Sequence, residues 1–242
     1  MRKIFPLKRI IITGASSGIG KATAEKLAAK GHQLVVSARR TEALEELCER
    51  YPENVQFISC DVSDDAQVSA MVERCVQSFG GVDVLINNAG MGVFDPLIEA
   101  KLSDWHTMID INIKGLLSCI HSALPHLIES KGHIINLGSV ASHNVFANSG
   151  VYCATKHAVL AISEALRIEH ANDLHVTTIS PGQVNTEFID QTSNSDLLKD
   201  YKPYFEAGMT ASLIADQIIF AIETPPNAVI SEIIVRPSNA LS

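Results

Sequence analysis

Short apolar segments alternate with longer segments of helical periodicity along nearly the whole of this 242-residue chain. The apolar segments, rich in Ile and Val, predict seven β-strands at about 10–12, 34–36, 55–58, 82–86, 133–137, 175–179 and 229–235. The segments between them predict helices at about 18–30, 41–50, 64–79, 103–129, 151–171 and 211–223. Nearly continuous apolar strands between helices are typical of a parallel sheet covered on both faces, so the pattern predicts a doubly wound α/β sandwich.

The length and composition favour a single domain over residues 1–242. Hydrophobic side chains make up 46% of the chain, enough for a large core, and no linker rich in Pro, Gly or Ser divides it. The one irregular stretch lies at about 182–210, where a polar, turn-prone segment precedes Tyr201, Tyr204 and Phe205. We expect this stretch to act as a lid over a binding site, with a plain surface loop as the alternative.

The charge balance and the cysteines restrict the partners and the compartment. A total of 27 acidic against 19 basic residues gives a net charge of −8, which disfavours nucleic acid and anionic membrane surfaces as partners. The apolar runs are too short to span a bilayer. Five cysteines without a CxxC pair favour a reducing, cytoplasmic location. No grouping of His, Cys, Asp and Glu has the spacing of metal ligands, so we expect no metal.

A glycine-rich segment follows the first predicted strand and opens the first predicted helix. Residues 13–20 read TGASSGIG, and small residues at this point allow a diphosphate to approach the backbone closely. The dinucleotide fingerprint G-x-G-x-x-G would need glycine in place of Ser16, and a P-loop would need Ser or Thr in place of Ala22. Neither motif matches, and both a phosphate cradle of different spacing and a turn without a ligand remain open.

The spacing of Gly14, Gly18 and Gly20 resembles the TGxxxGxG cofactor turn of the short-chain dehydrogenase/reductase family. Further motifs of that family occur in the expected order: Asn87-Asn88-Ala89-Gly90, Asn112, Ser139, Tyr152 with Lys156 as the YxxxK element, and Pro181-Gly182. The resemblance covers nearly the whole chain and implies a Rossmann-like fold that binds a nicotinamide dinucleotide. It also implies a homotetramer or homodimer in which the helices at 103–129 and 151–171 pack across an interface.

Tyr152 and Lys156 lie four residues apart in a segment of helical periodicity, so their side chains share one helix face. We expect the Lys156 ammonium, together with the positive ring of the cofactor, to lower the pKa of Tyr152 from about 10. The family resemblance implies that Tyr152 transfers the proton, that Ser139 orients the carbonyl and that Lys156 also holds the nicotinamide ribose. It further implies that Asn112 supports a water-linked proton path. Ser139 lacks the second glycine of the G-x-S-x-G nucleophile elbow, which argues against a hydrolase.

The residues after the second predicted strand indicate which cofactor is used. Ala38 stands where the family carries an NAD-selecting acidic residue, and Arg39 follows it. Because a guanidinium can bind a 2′-phosphate through two hydrogen bonds, the sequence favours NADP (NADPH). The resemblance also implies that Asp61 accepts from the adenine amine and that Thr186 bonds the nicotinamide carboxamide. The predicted cofactor-binding residues are Gly14, Ser16, Ser17, Gly18, Ile19, Gly20, Arg39, Arg40, Asp61, Val62, Asn88, Ala89, Gly90, Tyr152, Lys156, Pro181, Gly182, Val184 and Thr186.

These expectations describe an NADP(H)-dependent oxidoreductase that interconverts a carbonyl and an alcohol on a small molecule, as a carbonyl reductase does. The alternative is a non-enzymatic NADP-binding sensor or interaction protein of the same fold. The presence of Asn112, Ser139, Tyr152 and Lys156 favours the enzyme, with Tyr152 as general acid/base. An apolar substrate pocket is predicted from Phe94, Val145, Phe146, Tyr201 and Phe205.

Overall fold

Seven parallel strands form one sheet in the computed structural model, which describes residues 6–238. The strands are β1 (Arg9–Thr13), β2 (Gln33–Ala38), β3 (Val55–Ser59), β4 (Val84–Asn87), β5 (His133–Leu137), β6 (His175–Pro181) and, after two short strands outside this sheet, β9 (Glu232–Val235). Their order is β3-β2-β1-β4-β5-β6-β9, so the winding direction reverses between β1 and β4. Ligands of doubly wound sheets bind at such a reversal, beyond the carboxyl ends of the strands.

The central strands are apolar because both of their faces are covered. Ile10 and Ile12 belong to one hydrophobic cluster and Ile11 to the other, and all three side chains are fully buried. Successive side chains of a strand point to opposite faces, so this alternation separates the two layers of the core. An isoleucine run with no polar residue in alternate positions is therefore fully buried only where both faces of the sheet are covered.

Helices cover both faces of the sheet, which confirms the predicted doubly wound sandwich. The helices are α1 (Gly18–Ala29), α2 (Glu42–Arg50), α3 (Asp65–Phe79), α4 (Leu102–Ile109), α5 (Leu116–Glu129), α6 (Gly150–Glu169), α7 (Ser195–Glu206) and α8 (Ala211–Ile222). Apolar side chains of α1, α2 and α8 pack in one cluster, and those of α3, α5 and α6 pack in the other. The ends of the predicted 1–242 domain, residues 1–5 and 239–242, lie outside the described part.

The helix predicted over 103–129 is confirmed as a continuous helical segment, but it is not α-helical throughout, because π-helical residues Asp110–Gly115 lie between α4 and α5. Gly115 lies so close to the Val62 side chain that an added Cβ would come within 2.6 Å of Val62 Cγ2. The Asn112 side chain points inward and bonds both backbone groups of Met91, at 2.8 and 2.9 Å. These tertiary contacts compensate for the irregular turn, and the apolar periodicity on either side gives no sign of it.

The stretch predicted as irregular over 182–210 contains regular structure. A two-stranded ribbon pairs β7 (Val184–Asn185) with β8 (Met209–Thr210), and between them lie a 3₁₀ turn at Glu187–Gln191 and helix α7. The side chain of Asn194 caps α7 by accepting from the backbone N–H groups of Asp196 and Leu197, each at 3.2 Å. The polar residues that suggested a loop are thus partly the start signal of a helix.

The described residues bear on two further expectations. Across residues 6–238, none of the helices combines the length and the apolarity that a membrane crossing requires. Cys48, Cys60, Cys75, Cys119 and Cys153 are free thiols.

Candidate active site

A cavity of about 1120 Å³ opens at the carboxyl ends of the parallel strands. Its walls come from the β1–α1 turn, from the residues that follow β2, β3, β4 and β5, from α6, and from the segment after β6. Of the predicted catalytic and cofactor-binding residues, all but Gly20 and Asn112 line this cavity. The topology therefore brings together residues that are spread over 170 positions of sequence, from the glycine turn to Thr186.

The glycine turn presents bare backbone to the cavity. Gly14 and Gly18 have φ angles of +64° and +53°, a region that residues with a Cβ rarely adopt. An added Cβ at Gly20 would overlap the carbonyl oxygen of Gly14, so Gly20 is needed for close packing behind the turn. Ser17, the N-cap of α1, makes no side-chain capping bond. The backbone N–H groups of the first turn of α1 can therefore bind an anion, and the glycine turn fits the diphosphate of a dinucleotide.

Asn88 and Thr13 join the glycine turn to the end of β4. The Thr13 hydroxyl accepts from the backbone N–H groups of Asn88 and Ala89 at 3.1 and 3.0 Å. The Asn88 amide donates to the carbonyl oxygens of Thr13 and Gly14, both at 2.9 Å. These four bonds hold the two loops at one separation, so that Asn88, Ala89 and Gly90 line the same cavity as the turn.

The two arginines after β2 have different surroundings. Arg40 Nη2 lies 3.2 Å from Glu187 Oε2, and both side chains are exposed. Arg39 is exposed too, and no carboxylate within residues 6–238 forms an ion pair with it. Ala38 also lines the cavity at the end of β2. A phosphate at this end of the cavity would meet the guanidinium of Arg39 and no carboxylate from position 38.

Asp61 lies at the same end of the cavity as the arginines, after β3. Its Oδ1 accepts from the backbone N–H and the hydroxyl of Ser63, at 3.0 and 2.7 Å. Val62 lines the cavity next to it and packs against Gly115 of the π-helical turn. Ser63 thus orients the Asp61 carboxylate, whose second oxygen makes no hydrogen bond among the described residues.

Helix α6 carries Tyr152 and Lys156 into the cavity as buried side chains. Lys156 Nζ donates a 2.8 Å bond to the carbonyl oxygen of Leu137 and lies 5.9 Å from the centroid of the Tyr152 ring. Burial lowers the pKa of Lys156 to about 8, because the ammonium loses its hydration. The helical spacing thus brings the two side chains together, as predicted.

The pKa of Tyr152 is set mainly by burial. Burial raises the pKa of Tyr152 to about 12, and the neighbouring Ser139 hydroxyl offsets only part of this rise. The expected lowering depends on the positive ring of the cofactor as well as on Lys156, so it stays a prediction. The phenol is protonated at neutral pH and can act as a proton donor.

Ser139 is held at the carboxyl end of β5 by a small capping network. Its hydroxyl accepts from the Ala141 N–H at 3.1 Å and donates to the Pro181 carbonyl at 3.4 Å. Its own N–H donates to the Ser142 hydroxyl at 3.2 Å, which closes a capping box on the 3₁₀ turn Val140–Ser142. The long bond to Pro181 is weak, so the hydroxyl can turn to a substrate oxygen at little cost.

Asn112 stands behind the cavity wall rather than in it. Beyond its two bonds to Met91, its amide donates a 3.0 Å bond to the Thr155 hydroxyl on α6. An added Cβ on Gly90 would lie 3.3 Å from Asn112 Oδ1 and 3.6 Å from Lys156 Nζ, so all three groups are close. The side chain of Asn112 thus ties the π-helical turn to the loop after β4 and to α6.

Aromatic side chains fill the part of the cavity around Tyr152. The Phe94 ring meets Tyr152 edge-on at 5.6 Å between centroids, and Phe188 lies 5.5 Å from it. Phe188, which lies two residues after Thr186, also lines the cavity and was not among the predicted residues. Val145 is a wrong prediction, because its side chain is 73% exposed and does not line the cavity. The predicted Phe94, Phe146, Tyr201 and Phe205 do line it.

His143 follows the 3₁₀ turn after β5. His143 points away to Glu232, with 2.7 Å between Nε2 and Oε1, and is not part of the cavity wall. Across the described residues, no three His, Cys, Asp or Glu side chains converge as metal ligands.

Comparison with known proteins relates this geometry to a family. The family model of short chain dehydrogenases matches residues 8–196. An uncharacterised oxidoreductase of Staphylococcus saprophyticus is 42% identical over 237 residues, which cover 96% of each protein. The solved structure of a serine dehydrogenase with NADP+ has a TM-score of 0.90 at 31% identity, and covers 96% of each chain. A short-chain dehydrogenase/reductase from Burkholderia phymatum with NAD has a TM-score of 0.87 at 28% identity, covering 95% of this chain and 89% of that one.

Proposed function

Because the chain belongs to the short-chain dehydrogenase/reductase family, and is an oxidoreductase that uses a nicotinamide dinucleotide, we propose that it interconverts a carbonyl and an alcohol with NADP(H). One observation carries the proposal. Ser139, Tyr152 and Lys156 line one end of the cavity, and the bare glycine turn and Arg39 line the same cavity further along. A single elongated ligand with a diphosphate could therefore present its other end to Tyr152.

Each part of the cavity has residues suited to one part of the cofactor. The N–H groups at the start of α1 would bind the diphosphate, and Asp61 with Val62 would contact the adenine. Lys156 would hold the nicotinamide ribose, while Asn88, Ala89, Gly90, Pro181, Gly182, Val184 and Thr186 would enclose the nicotinamide end. When bound, the cofactor supplies the hydride that adds to the carbonyl carbon.

NADP(H) is the proposed form of the cofactor because of residues 38 and 39. Arg39 has no carboxylate partner within the described residues, so its guanidinium is available for a 2′-phosphate. Ala38 supplies no carboxylate for the 2′-hydroxyl of NAD and none to repel the phosphate of NADP. Arg40 is the secondary candidate, since it already pairs with Glu187 at 3.2 Å.

Tyr152 is the proposed proton donor to the carbonyl oxygen during reduction. Its pKa, raised by burial to about 12, keeps the proton on the phenol at neutral pH, so the proton is available for transfer. The Ser139 hydroxyl would donate a second hydrogen bond to the same oxygen. Lys156 would stabilise the phenolate that remains, because its ammonium lies 5.9 Å from the centre of the ring. Asn112, which bonds Thr155 next to Lys156 in the chain, would serve the proton path.

The remaining expectations are part of the proposal. The chain would act as a single domain in the cytoplasm, with the segment at 182–210 as its substrate lid. A homodimer or homotetramer built on α4, α5 and α6 is supported by the exposed apolar side chains of Leu102, Leu117 and Ile168.

The test measures binding and turnover separately. Dissociation constants for NADPH and NADH are determined by calorimetry, and NADPH consumption is followed over a panel of aldehydes, ketones and diketones. The proposal expects tighter binding of NADPH than of NADH, and turnover with some carbonyl compounds. Tight NADPH binding without turnover would favour a sensor, and absence of NADPH binding would refute the proposal.

A further inference from the structure

Four aromatic residues form an aromatic cluster around the phenol of Tyr152. Phe94 and Phe188 contact Tyr152 directly, with ring centroids 5.6 and 5.5 Å away. Tyr201 and Phe205, both from α7, contact Phe94 at 5.9 and 6.4 Å. All of these rings line the cavity, so a substrate whose carbonyl reaches Tyr152 must lie against aromatic carbon.

Hydrogen bonds between loops keep α7 over this cluster. Asn148 donates a 3.1 Å bond to the hydroxyl of Tyr201, which leaves the face of that ring to the cavity wall. Asn194, the N-cap of α7, donates a 2.8 Å bond to Asp95 in the loop after β4. The apolar wall is thus anchored at the start of α7 and near its middle.

The positively charged side chains of the cavity either lie far from the aromatic cluster or already bind another group of the protein. Among residues 6–238, the cationic side chains that line the cavity are Arg39, Arg40 and Lys156. Arg39 follows β2, and three strand spacings, roughly 14 Å, separate β2 from β5. The Arg40 guanidinium reaches the turn that carries Phe188 but is already paired there with Glu187 at 3.2 Å. Lys156 donates to the carbonyl oxygen of Leu137. A substrate carboxylate against the aromatic cluster would lose its hydration without gaining an ion pair.

Acidic groups border the same region. Glu187 and Asp190, in the 3₁₀ turn that carries Phe188, both line the cavity. Their partners, Arg40 and Lys202, lie at 3.2 and 3.0 Å in exposed ion pairs that water screens. Each of these cations is thus already paired with a carboxylate, and neither is left free for the carboxylate of a substrate.

We propose that the substrate is an uncharged carbonyl compound with an aryl or bulky alkyl group next to the carbonyl, and that the site rejects substrates that carry a carboxylate. This inference rests on the proposed function, since it specifies the substrate of the same site. The aromatic cluster favours the apolar group, and the distribution of charge disfavours the anion.

The test uses two aldehydes of similar shape, methyl 4-formylbenzoate and 4-formylbenzoate, which differ in one charge. Their kcat/KM values are measured with NADPH at neutral pH, and their dissociation constants are measured by calorimetry on Tyr152→Phe with NADPH bound. Because the ester group also withdraws electrons more strongly and so activates the aldehyde, the dissociation constants decide the comparison. We expect the ester to have a kcat/KM at least about tenfold higher, and a dissociation constant at least about tenfold lower, than the carboxylate. A carboxylate equal to or better than the ester would overturn the proposal.

A pair of neighbouring variants tests the electrostatic cause. Phe146 lines the cavity and is 49% exposed, so Phe146→Lys adds a cation to the wall with little effect on the core. Val145→Lys adds the same charge one residue away, outside the wall, and is the matched control. We expect Phe146→Lys to reduce the preference for the ester at least threefold (about 0.7 kcal/mol) and Val145→Lys to leave it unchanged. If both variants change the preference for the ester over the carboxylate equally, the charge of the cavity wall does not determine that preference, and the proposal is overturned.

Failure of the inference is distinct from failure of the proposed function. If NADPH binds and other carbonyl compounds are reduced while the ester is not, the substrate inference is overturned and the reductase stands. If NADPH does not bind, the proposed function itself fails. Calorimetric binding of NADPH to the wild-type chain, measured first, decides between these two results.

Discussion

The ammonium group of Lys156 donates a 2.8 Å hydrogen bond to the carbonyl oxygen of Leu137, the last residue of β5. Ser139 follows two residues later, so this bond fixes α6 against the strand end that carries the serine. It also directs the ammonium to the space beside Gly90, where an added Cβ would lie 3.6 Å from Lys156 Nζ. The proposed catalytic side chains are thus positioned by contacts between elements that are distant in sequence.

Replacement of Arg39 should weaken the binding of NADPH much more than the binding of NADH. Arg39→Ala should raise the dissociation constant for NADPH at least about tenfold, since charge-assisted hydrogen bonds to the 2′-phosphate are lost, and should change that for NADH less than about twofold. Ala38→Asp should weaken NADPH and favour NADH, because a carboxylate repels the phosphate and accepts from the 2′-hydroxyl. Calorimetry measures both, with Arg40→Ala as the comparison. An equal response of NADPH and NADH to Arg39→Ala would show that Arg39 does not bind the phosphate.

The pH profile of carbonyl reduction should report the charge of Lys156. Burial lowers the pKa of Lys156 to about 8, so the ammonium is present below that pH and is lost above it. The pKa of Tyr152, raised to about 12 by burial, leaves the phenol protonated through the same range. We therefore expect kcat/KM for reduction to fall as pH rises through about 8, and the residual rate of Lys156→Met to lack this decline. The same decline in both proteins would exclude Lys156 as its source.

Loss of the Thr13 hydroxyl should lower the free energy of unfolding and weaken NADPH binding. Thr13→Val keeps the shape but leaves the N–H groups of Asn88 and Ala89, now bonded at 3.1 and 3.0 Å, without an acceptor. We expect it to lower the free energy of unfolding by about 2–4 kcal/mol and to weaken NADPH binding. Thr13→Ser, which retains the acceptor, should cost less than about 1.5 kcal/mol by the same measure. Urea unfolding compares the two variants, and equal losses would contradict this account.

His133 should contribute to loss of stability in acid. Burial lowers the pKa of His133 to about 3, and its Nε2 lies 2.8 Å from the Thr177 hydroxyl, which donates to the carbonyl of Ile230. The ring is therefore neutral and donates through Nε2. Between about pH 6.5 and the folded-state pKa, the unfolded chain binds a proton that the folded chain does not, so stability falls as pH falls.

Urea unfolding at about pH 7 and about pH 4.5 measures this effect. His133→Gln keeps a donor for Thr177 and removes the titration, so its loss of stability between the two values should be about 2 kcal/mol smaller than that of the wild type. His121→Gln, on an exposed position of α5, is the matched control. If both variants lose as much stability as the wild type, the acid sensitivity does not come from His133.

The strands and the Tyr152–Lys156 pair were predictable because their causes are local. An isoleucine run such as 10–12 has one stable environment, the middle of a covered sheet, and a spacing of four residues within a helix brings two side chains together. The order of the motifs then placed nearly all predicted site residues around one cavity. These features depend on the chain's own periodicity and topology.

Other features depend on contacts that no local pattern encodes. The π-helical turn at Asp110–Gly115 exists because Asn112 bonds Met91 and Thr155, and Gly115 meets Val62. The pKa of Tyr152 rises because Phe94 and Phe188 displace water from it, and Phe188 comes from a segment whose structure was not foreseen. Only the cap of α7 at Asn194 left a local signal that could have been used.

The central claim is that the phenol of Tyr152 gives the proton to a substrate carbonyl while NADPH is bound beside it. The most direct measurement compares wild type and Tyr152→Phe for NADPH dissociation constant and for the rate of a single turnover with the preferred aldehyde. The account predicts an NADPH dissociation constant within about threefold of wild type, because the ring and its aromatic contacts remain, and a rate lower by about 10²–10⁴. A variant that binds NADPH and reduces the aldehyde at the wild-type rate would contradict the account.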